Sequence, residues 1–488
     1  MRTLIPLAIV MMVTLPFCAK HSDNGTGRTA GADSATDRQE NSAAWLARAH
    51  KHVQDGWTCL HIEGAPRVRG FQYGYLLGRE IKESLRITRA VWEYKSGMDW
   101  QWLVAKAGAW CMPKMDDENL EELRGIVEGC GAAGDSTTLE EMIAYNGYVE
   151  LSGYWWPEQK KTLDIHGPKE RKDACSSFIA TGHMTRDGTP VLGHNTMCSY
   201  VEADCYVILD IQPDKGHRIL MQTSPGWIHS GSDFFVTDAG LIGSETTIGA
   251  FDGFDETGVP EFLRMRRATQ DASDIDQWCD IMKKGNNGGY ANAWLLGDIR
   301  TNEIARLELG LKYVGFEKTN DGFFVGSNLA ENQKILRLET DEHETDIRQS
   351  GVARRVRWKE LMREHAGKIT TDLAKLFESD HFDTYLLRGA LDWRGLCAHG
   401  DYDSTDTDLP FEPAGTVDAK VVNAKLAREM SFLARWGSGC GRAFDAAGFL
   451  KRHPQFDWMH GLLRSRPSHR WTTVSAAACA HRGAQEKM

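Results

Sequence analysis

The stretch Asp173-Ala174-Cys175-Ser176-Ser177-Phe178-Ile179-Ala180 puts a cysteine between a charged segment and the start of an apolar run. A free thiol has a pKa of about 8.5 and is mostly protonated at neutral pH, so a cysteine nucleophile needs a base. If the bond between Ala174 and Cys175 is broken, the new α-amino group, of pKa about 7.7–8.0, lies beside the thiol and can take its proton. One residue then supplies both nucleophile and base. The thiol can also make that cut itself: attack on the Ala174 carbonyl forms a thioester that water resolves, and small Ala174 and Ser176 leave room for it. The alternative is a buried strand cysteine that follows a loop.

Gly193-His194-Asn195-Thr196 follows within the same strand-rich region and offers an imidazole and an amide beside that cysteine. Other chemistries find less support. Eleven cysteines include no CxxC pair and no regular spacing, so neither a zinc site nor a disulfide framework is read. Cys59, Cys111, Cys130, Cys198, Cys205, Cys279, Cys397, Cys440 and Cys479 are expected to be small buried hydrophobes or unassigned disulfide partners. Asp401, Asp403, Thr405 and Glu412 match places of a calcium loop, but Asp406 stands where that loop needs glycine, so a solvated acidic loop is expected. Neither metal nor cofactor is expected.

The elements that would carry these residues fall into blocks. Arg2 and the apolar run Leu4 to Phe17 have the dimensions of an export signal (residues 1–18) and are too short to span a bilayer as a mature helix. Leu15-Pro16-Phe17-Cys18 is similar to a lipoprotein signal in which Cys18 is lipidated, with ordinary secretion as the alternative; the expected location is the periplasm or cell envelope. Residues 19–41 are a polar tether. Residues 42–156 read as a helical lobe, with apolar residues three and four apart over Ala43–Val53, Tyr73–Tyr94, Trp100–Trp110, Glu118–Cys130 and Leu139–Glu150, and with N-cap candidates at Asp135 to Thr138. Residues 157–174 read as an exposed linker that can be cut without unfolding its neighbours.

After Cys175 the period becomes that of strands: 177–181 and 189–194 flank an Asp187-Gly188 hairpin signal, and 205–211, 218–223, 233–237 and 241–246 continue the run. Helices are expected over 260–284, 346–365 and 371–378, with strands at 291–297, 303–309, 312–318 and 322–326 between them. This succession predicts stacked sheets with helices outside, a layered α+β fold. Residues 175–464 form the catalytic domain and 465–488 a tail. Hydrophobic residues at 41% and charged residues at 26% are globular values, and the net charge of −11 with no basic stripe excludes nucleic acid as a partner.

Gly193-His194-Asn195-Thr196, Ser224-Pro225-Gly226-Trp227, Ser230 to Val236, Gly240 to Gly249, Tyr290-Ala291-Asn292-Ala293-Trp294-Leu295 and Gly415 to Val421 resemble, in order, segments of the phospholipase B-like family of N-terminal-nucleophile hydrolases. The chain departs from that pattern at Met197, in the place of Trp, at Ala419, in the place of Thr, and at His399-Gly400-Asp401, in the place of Arg-Gly-Asp. The resemblance implies a four-layer αββα sandwich, cleavage between Ala174 and Cys175 with the small and large chains staying associated, and hydrolysis of an acyl bond in a lipid-like substrate. It implies Cys175 as nucleophile, Asn292 as an oxyanion donor, and His194 and Asn195 as groups orienting the α-amine or the substrate carbonyl. Trp227 is the aromatic residue nominated for an acyl pocket. An amidase or acyltransferase of the bile-salt hydrolase or isopenicillin N acyltransferase type is the catalytic alternative, and an unprocessed surface binding protein the non-catalytic one.

Overall fold

In the computed structural model, which describes residues 42–163, 175–231, 233–406 and 409–480, the strand-like segments pair into two stacked sheets. The export signal, Cys18, the tether and Ala174 lie outside the described residues. The strands are β1 (His50–Gln54), β2 (Trp57–Gly64), β3 (Ser176–Thr181), β4 (Val191–Ser199), β5 (Val207–Pro213), β6 (Ile219–Thr223), β7 (Phe234–Thr237), β8 (Leu241–Thr247), β9 (Asn292–Asp298), β10 (Glu303–Leu309), β11 (Val314–Thr319), β12 (Gly322–Gly326), β13 (Phe382–Asp383), β14 (Arg388–Gly389), β15 (Ala414–Asn423), β16 (Ser431–Trp436) and β17 (Thr472–Ser475). One sheet runs β1-β2-β5-β6-β7-β8-β9-β10-β11 and the other β12-β3-β4-β15-β16-β17, with β13 and β14 as a small separate ribbon. Only β2 and β5 pair in parallel among the described strands, from Thr58 opposite Val207 to Gly64 opposite Pro213.

The covering helices are α1 (Pro66–Ser96), α2 (Trp100–Cys111), α3 (Asp117–Ala133), α4 (Leu139–Asn146), α5 (Trp156–Thr162), α6 (Glu261–Asp271), α7 (Ile275–Lys283), α8 (Ser350–Glu364) and α9 (Thr371–Phe377). Strand alternation decides which side chain meets which layer. Ile208, Leu220, Ile242 and Leu295 of the larger sheet meet Ile179, Leu192, Val422 and Phe432 of the smaller one. On the other face of the larger sheet, Leu209, Met221, Trp294 and Leu307 pack in one core with α1 to α7. On the far face of the smaller sheet, Phe178, Ala180 and Val421 pack with Trp358 and Leu361 of α8 and Phe377 of α9. The result is the four-layer αββα sandwich that the resemblance implies. Close contact between α1 and α3 depends on glycine: a Cβ at Gly74 would lie 2.0 Å from the Ile126 carbonyl oxygen, and one at Gly129 2.2 Å from that of Phe71.

Several local expectations need correcting. The region read as wholly helical contains β1 and β2, a hairpin closed by Asp55 (φ 46°) and Gly56 (φ 89°) that pairs Gln54 with Trp57. Trp57 and Cys59 face the inter-sheet core while Leu60 and Ile62 face the helices, so β2 is apolar on both sides and lacks simple alternation. The polar segment from Pro157 begins not as an open linker but as α5, where Lys161 pairs with Glu158 and Asp252. The C-terminal region contributes β17 and the helix Ala476–Ala480 instead of a free tail. In the acidic loop Asp403 turns inward, 3% exposed, and accepts from the backbone N–H groups of Trp393 and Thr405. Thr138 caps α4 in a reciprocal box with Glu141. Cys59, Cys111, Cys130, Cys175, Cys279, Cys397 and Cys479 are buried free thiols, and Cys198 and Cys440 are partly exposed ones. Among the described residues no helix is long and apolar enough to cross a membrane.

Candidate active site

Cys175 sits at the head of β3, 2% exposed, with φ at +97°. That backbone region costs a residue with a Cβ on the order of 1–3 kcal/mol and persists only where the surroundings fix it. Here they do. The Cys175 carbonyl accepts from Arg354 Nη1 of α8 at 2.7 Å, and the adjacent Ser176 Oγ accepts from Trp358 Nε1 at 2.8 Å. Ser177 Oγ donates to the Gly193 carbonyl at 2.8 Å and lies 2.6 Å from Ser244 Oγ across the inter-sheet gap. The Met197 backbone N–H donates to the Cys175 sulfur.

Two carboxyl groups face this thiol. Ligand atoms of Cys175, Asp233 and Glu245 all lie within 4.8 Å of one another, and all three residues are buried. Tyr290 Oη lies 2.8 Å from Asp233 Oδ2 and 3.0 Å from Glu245 Oε2, and accepts from Thr247 Oγ1 at 3.1 Å. A phenol has one proton, so it can donate to only one of these carboxyls; the other contact is favourable when that second carboxyl carries a proton of its own. Burial pushes Asp233 up to about 6. Burial, and then Asp233 itself, hold Glu245 well above the usual carboxylate range. The pair therefore shares a proton, since two desolvated neighbours cannot both ionise cheaply. Burial, reinforced by Glu245 and Asp233, also raises the Cys175 thiol and keeps it neutral in the uncut chain.

A cavity of ≈ 560 Å³ opens beside these groups, with Cys175, Thr196, Met197, Trp227, Asp233 and Tyr290 in its wall. Tyr145, Tyr148 and Ile87 bring aromatic and aliphatic surface from the helical layer. Its size falls in the range of small-molecule pockets, roughly 300–1,000 Å³. Under Thr196 the fully buried Lys420 donates to Thr196 Oγ1 at 2.6 Å and is paired with Asp418. The thiol and two carboxyls could ligate a cation, but a neutral thiol beside a proton-sharing pair is arranged for proton transfer.

The residues nominated from sequence are distributed unequally. Cys175 and Trp227 line the same cavity. His194, fully buried, donates from Nε2 to the Glu245 carbonyl at 3.0 Å, and burial followed by Lys420 depresses its pKa well below the usual value. It is thus a neutral tie between β4 and β8 that positions Glu245 and stays off the cavity wall. Asn195 points to the opposite face of β4, where Nδ2 donates to the carbonyls of Glu378 (2.9 Å) and Leu396 (2.8 Å). Asn292 shares the helix-facing side of β9 with Trp294, buried near Glu261, and is not part of the cavity wall. Asp233, Glu245 and Tyr290 were not selected from sequence. All three lie inside the family-like segments Ser230 to Val236, Gly240 to Gly249 and Tyr290 to Leu295, so the signal was present in the motifs but not in the residue types alone.

A phospholipase B family model matches residues 120–314. An uncharacterized protein of Archaeoglobus fulgidus is 25% identical over 265 residues, covering 51% of this chain and 42% of that protein. Phospholipase B-like protein B of Dictyostelium discoideum is 22% identical over 366 residues, covering 65% of this chain and 62% of that protein. The chain therefore spans less than two thirds of the length of these relatives. Among solved structures, a mutant conjugated bile acid hydrolase from Clostridium perfringens superposes with a TM-score of 0.35 and 10% identity, over 54% of this chain and 89% of that one.

Proposed function

We propose, from this chain's similarity to the phospholipase B-like family, that it is a cysteine N-terminal-nucleophile hydrolase, cut before Cys175, that cleaves an acyl ester or amide bond in a lipid-like substrate. The observation that carries the reading is the strained, buried Cys175 at a strand head, facing a proton-sharing carboxyl pair and opening onto a partly aromatic cavity.

The chemistry follows from those groups. In the uncut chain the Asp233–Glu245 pair, poised near neutral pH, takes the thiol proton as sulfur attacks the Ala174 carbonyl carbon. Collapse of the tetrahedral adduct breaks the C–N bond, the pair returns the proton to the leaving nitrogen, and Ala174 is left as a thioester on the Cys175 side chain. Water hydrolyses the thioester, releasing the Ala174 carboxylate and restoring the thiol beside the α-amine already freed. In the mature site the α-amine accepts the thiol proton, and the carboxyl pair, steadied by Tyr290, accepts a hydrogen bond from that amine. Sulfur then attacks the substrate acyl carbon, the alcohol or amine departs with the proton, and water releases the acid. The Met197 N–H, which hydrogen-bonds the Cys175 sulfur, is the donor assigned to the developing oxyanion. Trp227, Tyr145 and Tyr148 take the acyl portion.

Export, lipidation at Cys18 and retention of the small chain by the large one belong to the same proposal. Intact-mass analysis of the purified protein reports signal removal, lipidation at Cys18 and cleavage before Cys175 in one measurement. Two fragments are expected, the larger beginning at Cys175, and Cys175→Ala should give one uncut, inactive chain. An uncut wild-type chain that hydrolyses acyl substrates would overturn self-processing. An uncut and inert one would favour the binding-protein reading, and turnover of acyl amides but not esters the amidase reading.

A further inference from the structure

Away from the cavity, three loops meet behind β4. His381 follows α9, Cys397 and His399 precede β15, and Cys440 follows β16. We propose that His381, Cys397, His399 and Cys440 form a tetrahedral Cys2His2 zinc site that fastens these loops together. No part of this rests on the hydrolase reading.

The donor geometry is the first support. One ligand atom from each residue lies within 4.8 Å of all the others. Cys397 Sγ is 3.7 Å and Cys440 Sγ 3.4 Å from His399 Nε2. Zinc with Zn–S of about 2.3 Å and Zn–N of about 2.0–2.1 Å at tetrahedral angles sets its S···N edges at about 3.5 Å. Both measured distances fall close to that edge.

Hydrogen bonding explains the crowding less well. His399 Nε2 has one lone pair or one proton, yet two sulfurs approach it together. His381 Nε2 is buried with no hydrogen-bond partner. A central cation that accepts an electron pair from each of the four donors satisfies all of them at once. Thiolate and imidazole donors in a closed set of four select zinc over magnesium or calcium, and leave no open position for a water nucleophile, so the site is structural.

The surroundings fit a metal centre. Asp401 Oδ1 lies 3.8 Å from His399 Nδ1, on the side away from the sulfurs, where a carboxylate orients a metal-bound imidazole. Ser438 Oγ is 3.4 Å from Cys440 Sγ. Cys397 and His399 are buried while His381 and Cys440 are half-buried, which leaves a way in for the ion. The loops so fastened are those that receive the Asn195 amide at Glu378 and Leu396, so the clip braces the back of the strand whose front carries His194 and Thr196.

Elemental analysis of the full purified chain is the test. It should return about one zinc per chain. Chelation should lower Tm, and added zinc should restore it. Cobalt(II) in place of zinc should give thiolate-to-metal charge-transfer absorption and the strong visible bands of a tetrahedral site. Cys440→Ser and His381→Ala should each reduce bound zinc to background, whereas Cys279→Ser, a buried cysteine outside the cluster, should retain it. Chelation and cobalt exchange use the native chain, so the test stands even if a variant does not fold. Recovery of a Cys397–Cys440 disulfide from a non-reducing digest would overturn the proposal. So would a zinc-free chain whose Tm ignores chelator and whose two thiols alkylate freely.

Discussion

The groups around Cys175 and the groups around His399 are both tight sets of side chains that can give up protons, one reached from β4 through Thr196 and the other through Asn195. Around Cys175 the donors are one thiol and two carboxyls, set beside an empty volume and held by a phenol that can satisfy only one of them fully. Around His399 the donors are two thiols and two imidazoles converging on one point. Mismatch beside open space leaves a proton to move and room for a substrate; closure around a point leaves neither. Similar ligand chemistry thus supports reaction in one place and fastening in the other.

The sharpest way to separate the two is Cys175→Ala. Hydrolysis and chain cutting should fall to background while zinc content and the metal-dependent part of Tm stay unchanged, as read by acyl-ester assay, intact mass and elemental analysis. Loss of zinc in this variant would mean that the two regions are not independent.

Asp233→Asn comes next. Removing one member of the pair that takes the thiol proton in the uncut chain should slow self-cleavage by roughly 10²–10⁴-fold, read by intact mass over time. The stability linkage has a definite sign. A carboxyl raised from 3.8 in the unfolded chain to about 6 in the folded one favours folding fully below the lower value and loses that contribution as pH rises through the upper. Relative to the parent, Asp233→Asn should therefore gain stability on going from about pH 4 to about pH 7. Thermal melts of both proteins across that range check it; parallel curves would mean that the pair is not buried and coupled.

Asn195→Ala should act in the opposite sense, on stability and not on chemistry. It strands two buried carbonyls, at about 1–3 kcal/mol each, while activity per folded molecule stays constant. Denaturant unfolding with active-site titration distinguishes this from a catalytic role. The smallest effect expected is that of Trp227→Phe, a rise of about threefold in KM for long acyl chains with kcat unchanged.

The ease with which each region could be read from sequence follows the same division. Cys175 and Trp227 were legible because they stand within ordered motifs, and the layered fold because strand and helix periods alternate cleanly after residue 175. The β1–β2 hairpin was missed although Asp55-Gly56 is a strong turn signal, because β2 is apolar toward both layers and lacks a period-two pattern. Asn292 drew attention as an amide in a motif, but it lies buried near Glu261 off the cavity wall, while Tyr290, just before β9 at φ 49°, turns toward the carboxyls. Glu245 read as architectural since a lone acid on a strand says nothing of the acid opposite. The His399 cluster is spread from residue 381 to 440 with no repeating interval, so only tertiary contact assembles it.

The parallel pairing of β2 with β5 has a consequence for the proposed cut. These strands fall on opposite sides of Cys175 in the chain, yet share one sheet from Thr58–Val207 to Gly64–Pro213. After cleavage before Cys175, folding would change molecularity: an uncut chain regains its sheet in a first-order step, whereas the two fragments must find each other in solution. Refolding yield should then depend on protein concentration for the mature form and not for Cys175→Ala, making maturation a one-way commitment of the fold as well as of the nucleophile.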